Sequence, residues 1–302
     1  MEIDYGYACI STLNPELTCS QCATRSYLER LGPRAAEAYL RIKAERNIEH
    51  LRALLKANVA RGIRAFRLPE QFLPQADLGY YDWRVYAPEL QRIGQYCTAE
   101  NIQLSQHPSQ YFVLNSLRSD VVNKTVAALD LFADILAAFS VAHLPHLTLH
   151  AGARAGYPNE ADACQGFSRN VPRLSAVTRS MLVVENDQKS FSSAACMRIH
   201  EATGLPIVFD AAHFKWNPGT WTFDHAVAAS LSTWGSRTPK VHLSSEAGSR
   251  MHAHAERVSW SDYCELVEAC QRTGLPRLCI IFECKAKDRA VVEILRQVAA
   301  TR

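Results

Sequence analysis

The sequence predicts an α/β fold, a single (β/α)8 TIM barrel with its active site at the carboxyl-terminal ends of the strands, and three observations carry that expectation. Short apolar or alternating runs of strand length recur along the chain, each followed by a stretch with apolar residues three and four apart. The alternation runs through all 302 residues without a linker, repeat or low-complexity insertion, which points to one domain over residues 1–302. The strand-like runs also end, one after another, in histidine or a carboxylate. A doubly wound open sheet is the lesser alternative for the same alternation.

Taken in order, residues 2–8 (EIDYGYA) read as a first strand leading into a loop with Pro15 and the Cys19/Cys22 pair. Pro33 to Arg61 carries Ala35, Leu40, Ile48, Leu51, Leu54, Leu55 and Val59 at helical spacing and stops at Gly62. Ile63 to Leu68 alternates as a strand, Pro69 and Pro74 mark a loop, and Tyr86 to Asn101 is helical. Strands at Ile102–His107, Leu147–His150 and Met181–Glu185 then alternate with helices at Val121–Phe139 and Asn159–Arg179. The second half repeats the beat: helix Ala194–Ala202, strand Pro206–Asp210, helix Phe223–Leu231, strand Lys240–Leu243, helix Ser261–Gln271, strand Leu278–Glu283 and helix Arg289–Ala300.

Composition excludes little. With 48% hydrophobic and 21% charged residues the chain is an ordinary globular one, and its formal charge of +3 neither requires nor excludes nucleic acid. No opening run has signal-peptide character and no later run reaches the length of a membrane span, so a cytoplasmic location is expected. The ten cysteines are scattered with one CxxC pair, so a zinc ribbon is not expected and the thiols read as small apolar fillers.

The strand ends carry the chemistry. Strands three to eight deliver His107, His150, Glu185, Asp210, His242 and Glu283 in succession. A lone histidine there is usually a hydrogen-bonded rim residue and a lone aspartate usually caps the next helix, but six in a row are not asked for by packing. The stretch Met181-Leu182-Val183-Val184-Glu185 sharpens the point, since a carboxylate ending a strand buried on both faces is costly without a metal or another cation beside it. Mixed imidazole and carboxylate ligands suit manganese, zinc or iron rather than an all-oxygen cage. Two or three such ions sharing Glu185 would stabilise the attacking and leaving oxygens of a displacement at phosphorus.

Further candidates lie beyond the strand ends. His213 follows Asp210 by three residues, and His252 and His254 sit in the loop after strand seven. Lys240 shares a strand face with His242 and on its own reads as a surface or salt-bridged lysine. In His107-Pro108-Ser109-Gln110-Tyr111-Phe112, Gln110 and Tyr111 offer an amide and an aromatic face that could enter a duplex and stack on exposed bases, although a loop aromatic packed over the mouth is the ordinary reading. Tyr7 has the same ambiguity. His50, His143, His146, His200 and His225 receive no role.

The sequence resembles the ultraviolet damage endonuclease family over nearly its whole length. The carrying pieces are GYAC (6–9), FRLPEQFLP (66–74), SQHPSQY (105–111), LTLH (147–150), VVEND (183–187), DAAH with NPG (210–219), KVHLSS (240–245), HAHAERV (252–258) and IFECKAKD (281–288). The resemblance implies a TIM barrel with three divalent ions, manganese first and zinc, magnesium or cobalt as alternatives, that nicks double-stranded DNA 5′ to ultraviolet photoproducts and some other lesions. The products would be a 3′-hydroxyl and a 5′-phosphate, and the protein would be nucleoid-associated through DNA, with no membrane and no obligate protein partner. Position by position it implies His107, His150 and Glu185 on one ion, Glu185, Asp210, His242 and Glu283 on a second, and His213 and His254 on a third. Glu185 and Lys240 would be catalytic, Lys240 as an N6-carboxylated lysine. Tyr7, Gln110 and Tyr111 match lesion-facing positions, the last two as the inserted pair. Ser11 and Gln71 stand at lesion-contact positions where some members have asparagine and histidine, and Phe214 replaces the second residue of a His-His pair. These three bear on lesion range. A metal-dependent sugar isomerase and a damage-binding protein without cleavage are the rival readings.

Overall fold

The computed structural model of the chain describes residues 1–248 and 253–301; His252, one of the two loop histidines, lies outside them. The strands are β1 (Glu2–Ala8), β2 (Ala65–Leu68), β3 (Gln103–Gln106), β4 (His146–His150), β5 (Leu182–Glu185), β6 (Ile207–Asp210), β7 (Lys240–Leu243) and β8 (Arg277–Phe282). They close into a barrel in sequence order, every pair parallel, with β8 returning to β1 through Glu2↔Arg277 to Tyr7↔Phe282. The expected (β/α)8 barrel is therefore present.

The helices, in order, are α1 (Arg25–Leu31), α2 (Pro33–Ala60), α3 (Ala87–Ala99), α4 (Ser119–Ala138), α5 (Glu160–Asn170), α6 (Ala176–Met181), α7 (Ser193–Thr203), α8 (Ala211–Trp216), α9 (Phe223–Ser232), α10 (Trp260–Arg272) and α11 (Asp288–Ala300). Helix starts are set locally. Asn159, Ser175, Ser192, Thr222 and Ser259 each accept a backbone N–H three residues on, which fills one of the open donors of a first turn. The helix expected over 159–179 is broken, because Pro172 sits in a 3₁₀ turn at Val171–Arg173 and Ser175 then starts α6 afresh. The short α1 and α8 have no counterpart in the periodicity.

The main apolar core lies between strands and helices, where residues such as Leu51, Phe66, Leu104, Leu149, Phe209 and Phe282 are buried. The lumen is different. Two small apolar groups, Ala65 with Cys279 and Ile281, and Val183 with Val208 and Trp234, stand apart from the main core. Around them the buried polar residues include Asp4, Gln103, Ser105, Thr148, His146 and Lys240. Trp234 donates to the Ile207 carbonyl at 2.8 Å and meets the His146 ring at 4.8 Å, while Arg277 grips Asp4 through two bonds of 2.9 and 3.0 Å.

Strand parity decides which side chains reach the mouth. A Cβ on Gly6 would lie 2.5 Å from that of Ala65, so the β1 and β2 backbones approach on this face. The Gly6 set faces the lumen and Tyr5 and Tyr7 face the helices.

The loops after β1 and β2 are tied by one side chain. Asn47 of α2, wholly buried, accepts Gln21 N–H at 2.9 Å and donates to the carbonyls of Gln21 and Phe72 at 3.0 and 2.9 Å. Asn47→Ala strands these groups and is expected to lower stability by about 2 kcal/mol or more. Equilibrium urea unfolding measures it, and a change within about 0.5 kcal/mol, the scale of an ordinary surface substitution, would contradict the assignment.

Candidate metal centre at the barrel mouth

β4, β5, β6 and β7 carry His150, Glu185, Asp210 and His242 at or within one residue of their carboxyl ends, while His107 and Glu283 follow β3 and β8 by one residue. Paired register brings them side by side: His150 is level with Glu185, and Asp210 with His242. Glu185 is the centre. Its Oε2 accepts His107 Nε2 at 2.7 Å and lies 3.8 Å from His150 Nε2; its Oε1 accepts His242 Nδ1 at 2.7 Å and lies 3.7 Å from His213 Nδ1. His242 Nδ1 is also 3.2 Å from Glu283 Oε1, and Arg67 Nη1 donates to that same oxygen.

The next elements extend the cluster. Asp210 caps α8 by accepting His213 N–H at 2.7 Å, so the turn of this six-residue helix places the His213 ring over the mouth. Asn186 locks β5 to β6 with a reciprocal amide clamp: Asp210 N–H to its Oδ1 at 2.9 Å, and its Nδ2 to the Asp210 carbonyl at 3.0 Å. Its own carbonyl takes His213 Nδ1 at 3.0 Å. His254 returns along the loop after β7 beside Glu246, its Nδ1 2.6 Å from the Ser244 hydroxyl and its ring 6.0 Å from that of His213. A cavity of about 460 Å³ opens over these groups, lined by His107, His150, His213, His254, Glu283 and Arg67 among others. A groove of about 470 Å³ between α2 and α3 includes no histidine among its described lining residues.

The electrostatics are uneven. Burial works against the Glu185 charge, but His242, His150 and His107 hold its carboxyl well below the usual range. Glu283 is likewise held ionised against burial, chiefly by Arg67 and then His242. Asp210 goes the other way, because burial outweighs the attraction of His213. Burial pushes His150 down to about 4 and so keeps it neutral, the form that binds a cation. His213 resists burial and rises to about 9 under the pull of Asp210, Glu185 and Glu283.

These residues fit a metal centre. Two sets place ligating atoms within 4.8 Å of one another: His107, Glu185 and His242, and Glu185, Asp210, His242 and Glu283. Asp210 Oδ2, His150 Nδ1 and His242 Nε2 are buried with no hydrogen-bond partner among the described residues, and a cation is a group such orphaned atoms fit. The second set coincides with one expected ligand group; in the first, His242 stands with His107 and Glu185, while the expected His150 has its ring 4.9 Å from that of His107 and its Nε2 3.8 Å from Glu185 Oε2. Lys240 is also buried, 1% exposed, with no partner for its ammonium among the described residues. The surface reading of that lysine is thus wrong.

The lesion-facing candidates divide. A turn closed by Phe112 N–H to Ser109 carbonyl at 3.1 Å puts Gln110 and Tyr111 at its apex, and Tyr111 is 80% exposed. The turn is fixed at its base by the Glu70 carboxylate on Ser109 N–H at 2.8 Å and by Phe112 against Phe132. Tyr7, by contrast, is wholly buried; parity turns it towards α2, where it donates to Asn58 at 3.0 Å and meets Phe66 edge-on. Ser11 is buried and its hydroxyl is spent on Asp288. Gln71 caps Gln75 N–H at 2.9 Å beside a neighbouring cavity. Tyr7 and Ser11 are thus both buried and hydrogen-bonded within the chain, away from the exposed apex that carries Tyr111. Phe214 packs on Phe209 and Phe223 behind the site. The sequence reading missed Arg67 and Asn186; the turn-forming Asn186 directly after Glu185 was an available signal, whereas nothing in the sequence turns Arg67 inward.

Fold and site together define a (β/α)8-barrel protein that concentrates histidines and carboxylates at its mouth around one buried glutamate. A family model described as UV-endonuclease UvdE matches residues 3–302, and the chain belongs to that family. It is 25% identical over 310 residues to a UV DNA damage endonuclease of Bacillus cereus (strain B4264), covering 100% of this chain and 96% of that protein. It is 23% identical over 308 residues to one of Bacillus anthracis, with the same coverage. Among solved structures it superposes on SacUVDE with a TM-score of 0.86 at 23% identity, over 99% of both chains. A D-psicose 3-epimerase from Clostridium cellulolyticum H10 shares the fold with a TM-score of 0.54 and 10% identity, over 78% of this chain and 79% of that one. No helix among the described residues is long and apolar enough to cross a membrane.

A ligand that binds the folded chain at about a hundredfold its Kd adds about 2.7 kcal/mol. Mn²⁺ at that level should therefore raise the thermal midpoint of the wild type, and Glu185→Gln should erase the rise. Equal midpoint shifts in both proteins would separate cation binding from Glu185.

Proposed function

We propose that this protein nicks duplex DNA on the 5′ side of ultraviolet photoproducts by hydrolysis at a cluster of three divalent ions, manganese first, leaving a 3′-hydroxyl and a 5′-phosphate. The observation that carries the reading is the juxtaposition of the Glu185 cluster with the projecting Gln110–Tyr111 turn, in a member of a UV-endonuclease family. His107, His150 and Glu185 would hold one ion, Glu185, Asp210, His242 and Glu283 a second, and His213 and His254 a third. Bound there, the ions supply Lewis acidity towards phosphoryl oxygens and a more acidic water.

The chain's own side chains do the rest. The neutral His150 is ready to ligate, whereas a cation at His213 must displace a proton. Burial, with the charges of Arg67 and Arg237 nearby, brings Lys240 down to about 8, which favours a free amine able to take up carbon dioxide as a carbamate. Such a carbamate would add negative charge under the cluster. Gln110 and Tyr111 would enter the stack where a damaged dinucleotide leaves it, an aromatic face and an amide replacing the lost base contacts.

With Mn²⁺ and an irradiated, end-labelled duplex, the wild type is expected to cut once beside the photoproduct. Aldose–ketose conversion without cutting, or a gel shift without cutting, would favour the rival readings. Glu185→Ala should abolish nicking and leave lesion affinity largely intact; parallel loss of both would contradict the division of labour between cluster and turn. The Gln110→Ala/Tyr111→Ala double variant should instead bind damaged and intact duplex about equally, losing about 1–3 kcal/mol of stacking per base, as a fluorescence-anisotropy titration would read.

A further inference from the structure

Arg67 is a permanent cation bonded directly to one carboxylate of the cluster, Glu283. Its position on β2 two residues after Ala65 turns it into the lumen, where Ala65 already packs with Cys279 and Ile281. The side chain is 15% exposed and lines the mouth cavity together with His107, His150, His213, His254 and Glu283. One guanidinium nitrogen is bound to Glu283, while Nε is buried with no partner among the described residues. Burial opposes the charge, but Glu283, with Cys9 and Glu185, keeps the guanidinium protonated.

That arrangement is unbalanced once cations arrive. Glu283 is one of the four groups whose ligating atoms gather within 4.8 Å, so a metal ion and Arg67 would share one carboxylate. Arg67 is then left with surplus positive charge beside a cavity, and like charges next to it. An oxyanion in the cavity resolves both. A planar fork of N–H donors matches two oxygens of a phosphodiester.

We propose that Arg67 is a catalytic residue: it binds a phosphodiester oxygen of the strand lying across the mouth, with Glu283 as the anchor that aims its guanidinium. The inference rests on the nuclease reading and adds a substrate contact to it. Donors fixed where charge develops on phosphoryl oxygens act mostly on the chemical step, since they need no reorganisation when the charge appears.

The test compares wild type, Arg67→Lys and Arg67→Ala as full chains loaded with Mn²⁺, on an irradiated duplex. Metal per chain, read by plasma mass spectrometry, should be unchanged, while kcat/KM falls about 10²-fold or more with the larger share in kcat. Loss of metal in step with activity would overturn the proposal, because Arg67 would then only hold Glu283; so would wild-type rates in the variants. Should Arg67→Ala fail to fold, Arg67→Lys, which keeps the stem and the charge, is judged by the same two readings. A wild type that does not nick overturns the nuclease reading and this inference with it, whereas a nicking wild type with indifferent variants overturns this inference alone.

Discussion

The constraint on which the rest depends is the Glu185 carboxylate, fully buried at the end of β5 with two imidazoles near each oxygen. A charge in such a place is tolerated only if its surroundings supply positive charge and fill its lone pairs. The histidines do this unevenly: burial keeps His150 neutral, whereas His213 carries a proton under the pull of Asp210, Glu185 and Glu283. The surrounding architecture serves to hold these partners in place. The β4–β5 register sets His150 beside Glu185, the Asn186 clamp fixes β6 against β5, and the Asp210 cap orients α8 so that His213 faces inward.

How far the sequence could be read follows from the same physics. The barrel and its strand ends were legible because β5, β6 and β8 are continuous apolar runs, as strands buried on both faces must be, and each stops at a charged residue. Parity was not legible. In an ordinary half-buried strand the polar residues point to water, and by that rule Arg67 reads as a surface residue and Tyr7 as free to face either way. Here the lumen is polar and the helix-facing side is the apolar one, so the rule inverts: Arg67 goes in, and Tyr7 goes out against Phe66. Ser11 escaped for a different reason, since its partner Asp288 lies 277 residues away. The break at Pro172 and the one-and-a-half-turn α8 are too local for a period to reveal.

The fold alone leaves function open, as a barrel shared with a sugar epimerase at 10% identity makes plain. What differs between the proposals is the mouth. A small polyol calls for walls that close round it, whereas the turn after β3 carries Tyr111 outward at its apex and spends its anchoring groups, Glu70 and Phe112, on standing upright. Tyr111, exposed on a braced turn, buries little in the free chain, and the proposed function gives its open ring face a use that packing does not. A base stack is a partner with faces of the right kind.

Lys240 poses the complementary problem one layer below. An ammonium buried without an acceptor costs stability, and the sign follows from its lowered affinity for protons: the unfolded chain binds the proton more tightly, so the penalty is full below about pH 8 and fades towards the ordinary lysine value. Removing the amine would leave a void in the lumen, and pairing it with a carboxylate would spend a charge the cluster needs. Converting the amine to a carbamate changes the sign of its charge in place. Under the proposed function such a group would attract the cations above it instead of repelling them, and the buried position that is unfavourable for an ammonium would become favourable for an anion beside divalent ions.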